Sequence, residues 1–332
     1  MTLSTRRRLS AGLAILLVSL YAPNDVLSSR VAPTRVPSGT SLDLGEPATY
    51  DFGDGSGIQL LDLYYPAPGF AGPRPLIVYL HGGGWYGGGR ADVRCDPAVP
   101  QAIRACIPAL QLARGYVVAS VDYGLLRVDT RENQFPTQIV DVKLAIKWLR
   151  DHAADHRIDP DRVVVFGHSA GGHLAALTAL TAGQWEPAPE YRTVVSGFVD
   201  LVGPTELESW ADWLDHHGQP GMGTLTRALV GCDLSPSPCE RLLALASPAN
   251  PRWLDAADPP GYLACEETDT EVPCAQLWAL RDGLVKAHHG QRSAVVIDVY
   301  QNPGDPGDDD PHNPDTDVNL TDLQGFLDYI TR

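Results

Sequence analysis

From Gln59 onward, short apolar runs alternate with stretches whose apolar residues recur at helical spacing. Leu60, Leu63 and Tyr65 mark a first strand leading into Pro66. Leu76 to Leu80, Tyr116 to Val121 and Arg162 to Phe166 are near-continuous apolar runs of strand length, the pattern of strands buried on both faces. Pro136 opens a helix in which Ile139, Val142, Ile146 and Leu149 share a face. Asp159-Pro160-Asp161 predicts a turn, and Ala170 to Ala182 an alanine- and leucine-rich helix. Val194 to Val199, Tyr262 to Cys265 and Ala294 to Val299 complete the strands, with helices over 275–288 and 320–330. Such alternation predicts an α/β fold, a mostly parallel sheet with helices on both faces. Residues 204–251 break the rhythm; with Trp210, Trp213, Gly221 and Gly223 they read as a helical insertion or cap over the sheet.

Composition adds where the chain works and what it avoids. The 332 residues are 44% apolar, enough for one large core, and the formal charge of −16 disfavours nucleic acid and anionic membrane surfaces as partners. Arg6, Arg7 and Arg8 precede an apolar stretch from Ala11 to Ala22 that suits an export signal better than a membrane span. Thr5 to Leu9 is similar to a twin-arginine signal. The expected layout is a signal over 1–28, a Pro- and Ser-rich leader over 29–57, and one α/β domain over 58–332 with its insertion at about 204–251, in a secreted protein. In an exported chain six cysteines suggest disulfides, although sequence leaves the connectivity open. They fall into near-neighbour pairs: Cys95 with Cys106, Cys232 with Cys239, and Cys265 with Cys274, the last bracketing Asp269. No Cys/His spacing resembles a zinc site, so neither metal nor cofactor is expected. The acidic run Asp308, Asp309, Asp310, Asp315, Asp317 does not match a calcium loop and reads as a solvated segment.

Gly167-His168-Ser169-Ala170-Gly171 lies between a predicted strand and a predicted helix. That is the setting of a nucleophile elbow: a sharp turn lifts the serine hydroxyl clear of the sheet, and flanking glycines remove the Cβ clashes. His81-Gly82-Gly83-Gly84-Trp85 follows an earlier strand. Its glycines can turn backbone N–H groups toward one point, where acyl transfer develops negative charge on oxygen. Gly83, Gly84 and Ala170 are the expected oxyanion donors. His81 reads as a holder of this loop rather than as a base. In this fold the order is serine, acid, histidine, and the last histidine, His312, falls between the final strand and the final helix, whereas His288 and His289 fall at a helix end. For the acid, Asp269 lies in the loop after a strand, with Glu266 and Glu267 nearer the strand end as rivals; Asp305 would crowd the histidine's own loop.

These segments, with Val121-Asp122-Tyr123, Gly203-Pro204-Thr205 and Ala246-Ser247-Pro248, resemble the esterase/lipase group of the α/β-hydrolase superfamily. The resemblance is to bacterial carboxylesterases akin to feruloyl and acetylxylan esterases. It covers most of residues 58–331 and implies Ser169, Asp269 and His312 as a triad. Cys265-Glu266-Glu267 replaces the His-Gly pair common before the acid, and Gly124 stands where Arg often follows Asp-Tyr. The expected function is hydrolysis of small-molecule or polysaccharide-linked esters, with short, medium or aromatic acyl groups, through an acyl-enzyme. Two alternatives are weighed against it: an amidase, formamidase or peptidase on the same fold, and a secreted binding protein without catalysis. Trp210 and Trp213 could line an acyl pocket.

Overall fold

A computed structural model describes residues 45–55, 57–93, 110–232, 239–290, 295–300 and 320–332. The expected export signal, the Cys95–Cys106 pair, the acidic run and His312 lie outside the described residues. Among the described residues, eight strands form a single sheet in the order β1-β2-β4-β3-β5-β6-β7-β8. They are β1 (Ala48–Asp51), β2 (Leu60–Tyr64), β3 (Arg74–Leu80), β4 (Val117–Val121), β5 (Ile158–His168), β6 (Gly197–Leu201), β7 (Gly261–Glu266) and β8 (Val295–Tyr300). β1 and β2 pair antiparallel, β2 pairs antiparallel with β4, and every later pairing is parallel. The named helices are α1 (Thr137–Asp151), α2 (Ala170–Leu180), α3 (Leu207–His216), α4 (Pro220–Leu229), α5 (Cys239–Leu245), α6 (Ala275–Ala287) and α7 (Leu320–Ile330).

Period-two alternation divides each strand between two apolar layers. Leu76, Val78 and Leu80 of β3, with Val163 and Val165 of β5, face the layer of α1, α2 and the insertion. Ile77, Tyr79, Val164 and Phe166 face the other layer, against Leu323, Phe326 and Leu327 of α7. Ile139, predicted on the core face of α1, packs instead with Leu177 and Trp253 in a small satellite cluster.

Three boundaries differ from the sequence reading. The sheet starts before residue 58, because Ala48–Asp51, inside the expected leader, pairs with Leu60–Leu63. Asp159-Pro160-Asp161 is not a turn outside the sheet but an irregularity within β5. Arg74 pairs with Ile158 while Leu76 pairs with Val163, so the extra residues bulge, held by Asp159 Oδ1 accepting the Asp161 N–H at 3.1 Å. β6 begins at Gly197 rather than Val194; the Val194 carbonyl accepts from the Arg150 guanidinium instead of a neighbouring strand. The insertion is helical as expected, carrying α3, α4 and α5.

Candidate active site

Parallel strands deliver their following loops to one edge of a sheet, where such folds bind ligands. Leu80 of β3 pairs with Gly167 of β5, and His168 pairs with Leu201 of β6. The glycine loop, the serine and the end of β6 therefore emerge side by side. Ser169 is half-buried and stands between β5 and α2 at φ 54°, ψ −123°. A side chain rarely adopts these angles, so the surroundings must impose them. They do so at two glycines: a Cβ at Gly167 would lie 2.0 Å from the Gly171 carbonyl oxygen, and one at Gly171 would lie 2.0 Å from that of Leu80. The Ser169 N–H donates to the Leu201 carbonyl at 2.8 Å, fastening the elbow to β6.

The glycine loop touches this elbow. A Cβ at Gly82 would stand 3.4 Å from Ser169 Cβ. Gly83 and Gly84 have φ of 96° and 58°. The Gly83 carbonyl accepts the N–H groups of Tyr86 and Gly87, at 3.1 and 2.9 Å, while among the described residues neither the Gly83 nor the Gly84 N–H donates to a backbone carbonyl. His81 is buried, with Nδ1 2.8 Å from the Gly82 oxygen and its ring stacked on Tyr123 at 4.2 Å. Burial pushes its pKa down, and the Tyr123 hydroxyl donates to the His81 carbonyl at 2.8 Å. His81 holds the loop, as read from sequence. Gly124, standing where Arg was expected, gives its N–H to Asp141 Oδ2 at 2.8 Å, and its carbonyl accepts from Gln138 at 2.9 Å. These two bonds fasten the neighbouring loop to α1.

Two ionisable groups beneath the elbow escaped the sequence reading. His173, one turn after Ser169, donates Nε2–H to the Ala246 carbonyl at 2.7 Å and accepts the Trp85 indole N–H at Nδ1, at 3.2 Å. The partners fix a neutral ring, and burial lowers its pKa to about 4. Asp200 of β6 is buried, accepts the Gly203 N–H at 2.8 Å, and is raised by burial to about 7. Sequence signalled neither: a histidine in an alanine-rich helix and an aspartate in a strand show no partner until the fold supplies one.

Asp269 follows β7, two strands beyond the elbow, and is buried. Its Oδ1 accepts the N–H groups of Glu271 and Val272, at 2.7 and 2.9 Å. The rivals are differently placed. Glu266 lies within β7, buried, with Oε1 accepting the Thr268 hydroxyl at 2.5 Å, and Glu267 is exposed. The Cys265–Cys274 disulfide closes this loop, and Cys232–Cys239 closes another in the insertion. Gln276, at the start of α6, accepts the N–H groups of Thr205 and Glu206 at 3.0 and 2.8 Å, joining the loop's far end to the insertion. His288 and His289 follow the end of α6, which runs back from the loop edge, so they lie at the opposite edge of the sheet. Trp210 is buried, and Trp213 stacks on His217 at 4.2 Å.

Residues 61–284 match the BD-FAE family. The chain is 29% identical over 263 residues to the esterase LipQ of Mycobacterium tuberculosis (strain ATCC 25618 / H37Rv), a match covering 74% of this chain and 57% of LipQ. It thus spans about half the length of that relative. A truncated carbohydrate esterase from gut microbiota superposes with a TM-score of 0.64 at 20% identity, over 91% of this chain and 99% of that one. Thermogutta terrifontis esterase 2, phosphoramylated by tabun, does so at 0.60 and 23%, over 86% and 96%. At these identities the solved structures establish the fold, which is that of the α/β-hydrolases.

Proposed function

The chain belongs to the BD-FAE family, and from that premise we propose that it is a serine hydrolase of carboxylic esters. The observation that carries this reading is Ser169, held at φ 54° beside a loop of glycines. Ser169 Oγ attacks the ester carbonyl as His312 takes its proton. The oxyanion accepts hydrogen bonds from the N–H groups of Gly83, Gly84 and Ala170, aimed where charge develops. His312 then protonates the departing alkoxide. Water, deprotonated by the same histidine, attacks the acyl-enzyme and releases the acid. Asp269 holds the histidine and favours its protonated form. No cofactor enters the sequence of steps.

The proposed substrates are esters of short, medium or aromatic acids, including those carried on sugars. The modest insertion supports this: its helices α3, α4 and α5 are ten, ten and seven residues long and offer little surface to cover a long chain. Export is proposed as well, supported by two disulfides. The test is a panel of acetyl, butyryl, feruloyl and oleoyl esters, with acetylated sugars and a matched anilide. The reading expects ester turnover that falls with chain length and little anilide cleavage. An anilide cleaved faster than its matched ester would move the assignment to an amidase.

A further inference from the structure

The structure assigns Trp210, a residue of the insertion, to positioning the acid of the triad, an inference that rests on the reading above and deepens it. The Trp210 indole is 3% exposed and its N–H donates to the Glu271 carbonyl at 2.8 Å. The Glu271 N–H donates in turn to Asp269 Oδ1 at 2.7 Å. The indole therefore grips the same residue whose N–H seats the carboxylate. From the insertion's surface, Gln219 Nε2 adds a second tie to the Thr270 carbonyl at 2.9 Å.

The same indole reaches the other two loops. Its ring meets Trp85 edge to face, with centroids 5.9 Å apart at 78°. Trp85 belongs to the glycine loop, and its indole N–H donates to the ring of His173, which stands on α2 one turn after Ser169 and whose backbone N–H donates to the Ser169 carbonyl at 3.0 Å. Three buried rings thus connect the nucleophile helix, the glycine loop and the acid loop. Buried N–H donors are costly to leave unpaired, so each bond fixes its partner's place. The insertion acts as a clamp on the acid, in addition to any wall it gives the acyl site.

The full chain is compared with Trp210→Phe, Gln219→Ala, Asp269→Asn and the Trp210→Phe/Asp269→Asn pair, using p-nitrophenyl acetate. Trp210→Phe keeps a ring and loses the N–H. It should lower kcat about tenfold with KM within about twofold, the pattern of a misplaced group rather than lost binding. It should also move the acid limb of kcat/KM to lower pH, since a loosely seated carboxylate favours the imidazolium less. In the Asp269→Asn background it should cost nothing further, because both changes act through one group. Gln219→Ala, at the surface, should move both readouts the same way by less, and it decides the matter if Trp210→Phe does not fold. Wild-type kcat and acid limb in Trp210→Phe, beside an inactive Asp269→Asn, would overturn the clamp alone; so would losses that multiply in the double variant. An Asp269→Asn enzyme at full rate would remove the acid assignment and the clamp with it.

Discussion

The elbow and the acid loop sit at one edge of the same sheet, yet different forces hold them. Backbone contact holds the elbow: glycines at 167 and 171 let β3, β5 and α2 approach until a single methyl would clash. The acid loop, from Glu267 to Cys274, contains no glycine. It is held by a disulfide, by Asp269's bonds to its own loop, and by Trp210 and Gln219 of the insertion. The first arrangement leaves almost no freedom and tolerates no substitution. The second is assembled from separable parts, so its losses should come in instalments.

The contrast breaks most visibly at Gly171. Gly171→Ala puts a methyl 2.0 Å from a carbonyl oxygen that neither strand nor helix can withdraw. It should cost more than about 4 kcal/mol or prevent folding, beyond ordinary overpacking; urea unfolding and expression yield check this. At the acid loop, replacing Cys265 and Cys274 together by Ala should lower stability by about 2.5–3 kcal/mol in the chain-entropy model. Turnover should fall less than about tenfold, because the loop's hydrogen bonds persist. A complete loss of turnover in a folded variant would show that the bridge alone positions the acid.

Beneath the elbow the two buried ionisable groups pull stability in opposite directions with pH. Asp200 has a folded pKa raised from 3.8 to about 7. Its neutral form suits the native state, so stability is full below the unfolded value and is lost as pH rises through that window. His173 is lowered from 6.5 to about 4; its contribution is full above the unfolded value and is lost as pH falls through that window. Asp200→Asn, which keeps an acceptor for the Gly203 N–H, should stabilise the protein at pH 8 on the order of 2 kcal/mol. That gain should vanish near pH 3.5; melting curves at both pH values decide it. The smallest effect is expected at Tyr86, which is 51% exposed beside the glycine loop. Tyr86→Ala should leave stability within about 0.5 kcal/mol and raise KM a few-fold for aromatic esters only, as kinetics on acetyl and feruloyl pairs would reveal.

The same contrast explains what could be read in advance. Strands β3, β4, β5 and β7 announced themselves because residues buried on both faces leave unbroken apolar runs. Ser169 and the loop of Gly83 and Gly84 were legible because tight backbone approach demands glycine at fixed spacing. β1 was not, since Ala48–Asp51 is short and half-buried at the sheet edge. Neither was the work of Trp210, Gln219 and Gln276: each anchors a loop some fifty to seventy positions away in sequence. A tryptophan in an insertion reads as a pocket wall until the fold shows where its N–H points. The disulfides were legible as near-neighbour pairs, and the structure holds Cys232–Cys239 and Cys265–Cys274.

The central claim is that Ser169 forms the covalent acyl-enzyme. The direct measurement is mass spectrometry of the intact protein and its peptides after exposure to a fluorophosphonate, for the natural chain and Ser169→Ala. The account predicts one adduct, on the peptide carrying Ser169, appearing as ester turnover disappears. It predicts no adduct and at least a thousandfold loss of turnover, an order-of-magnitude expectation for a lost nucleophile, in the folded Ser169→Ala protein. Adduct formation at another serine, or a Ser169→Ala protein that retains more than about one per cent of the activity, would contradict it.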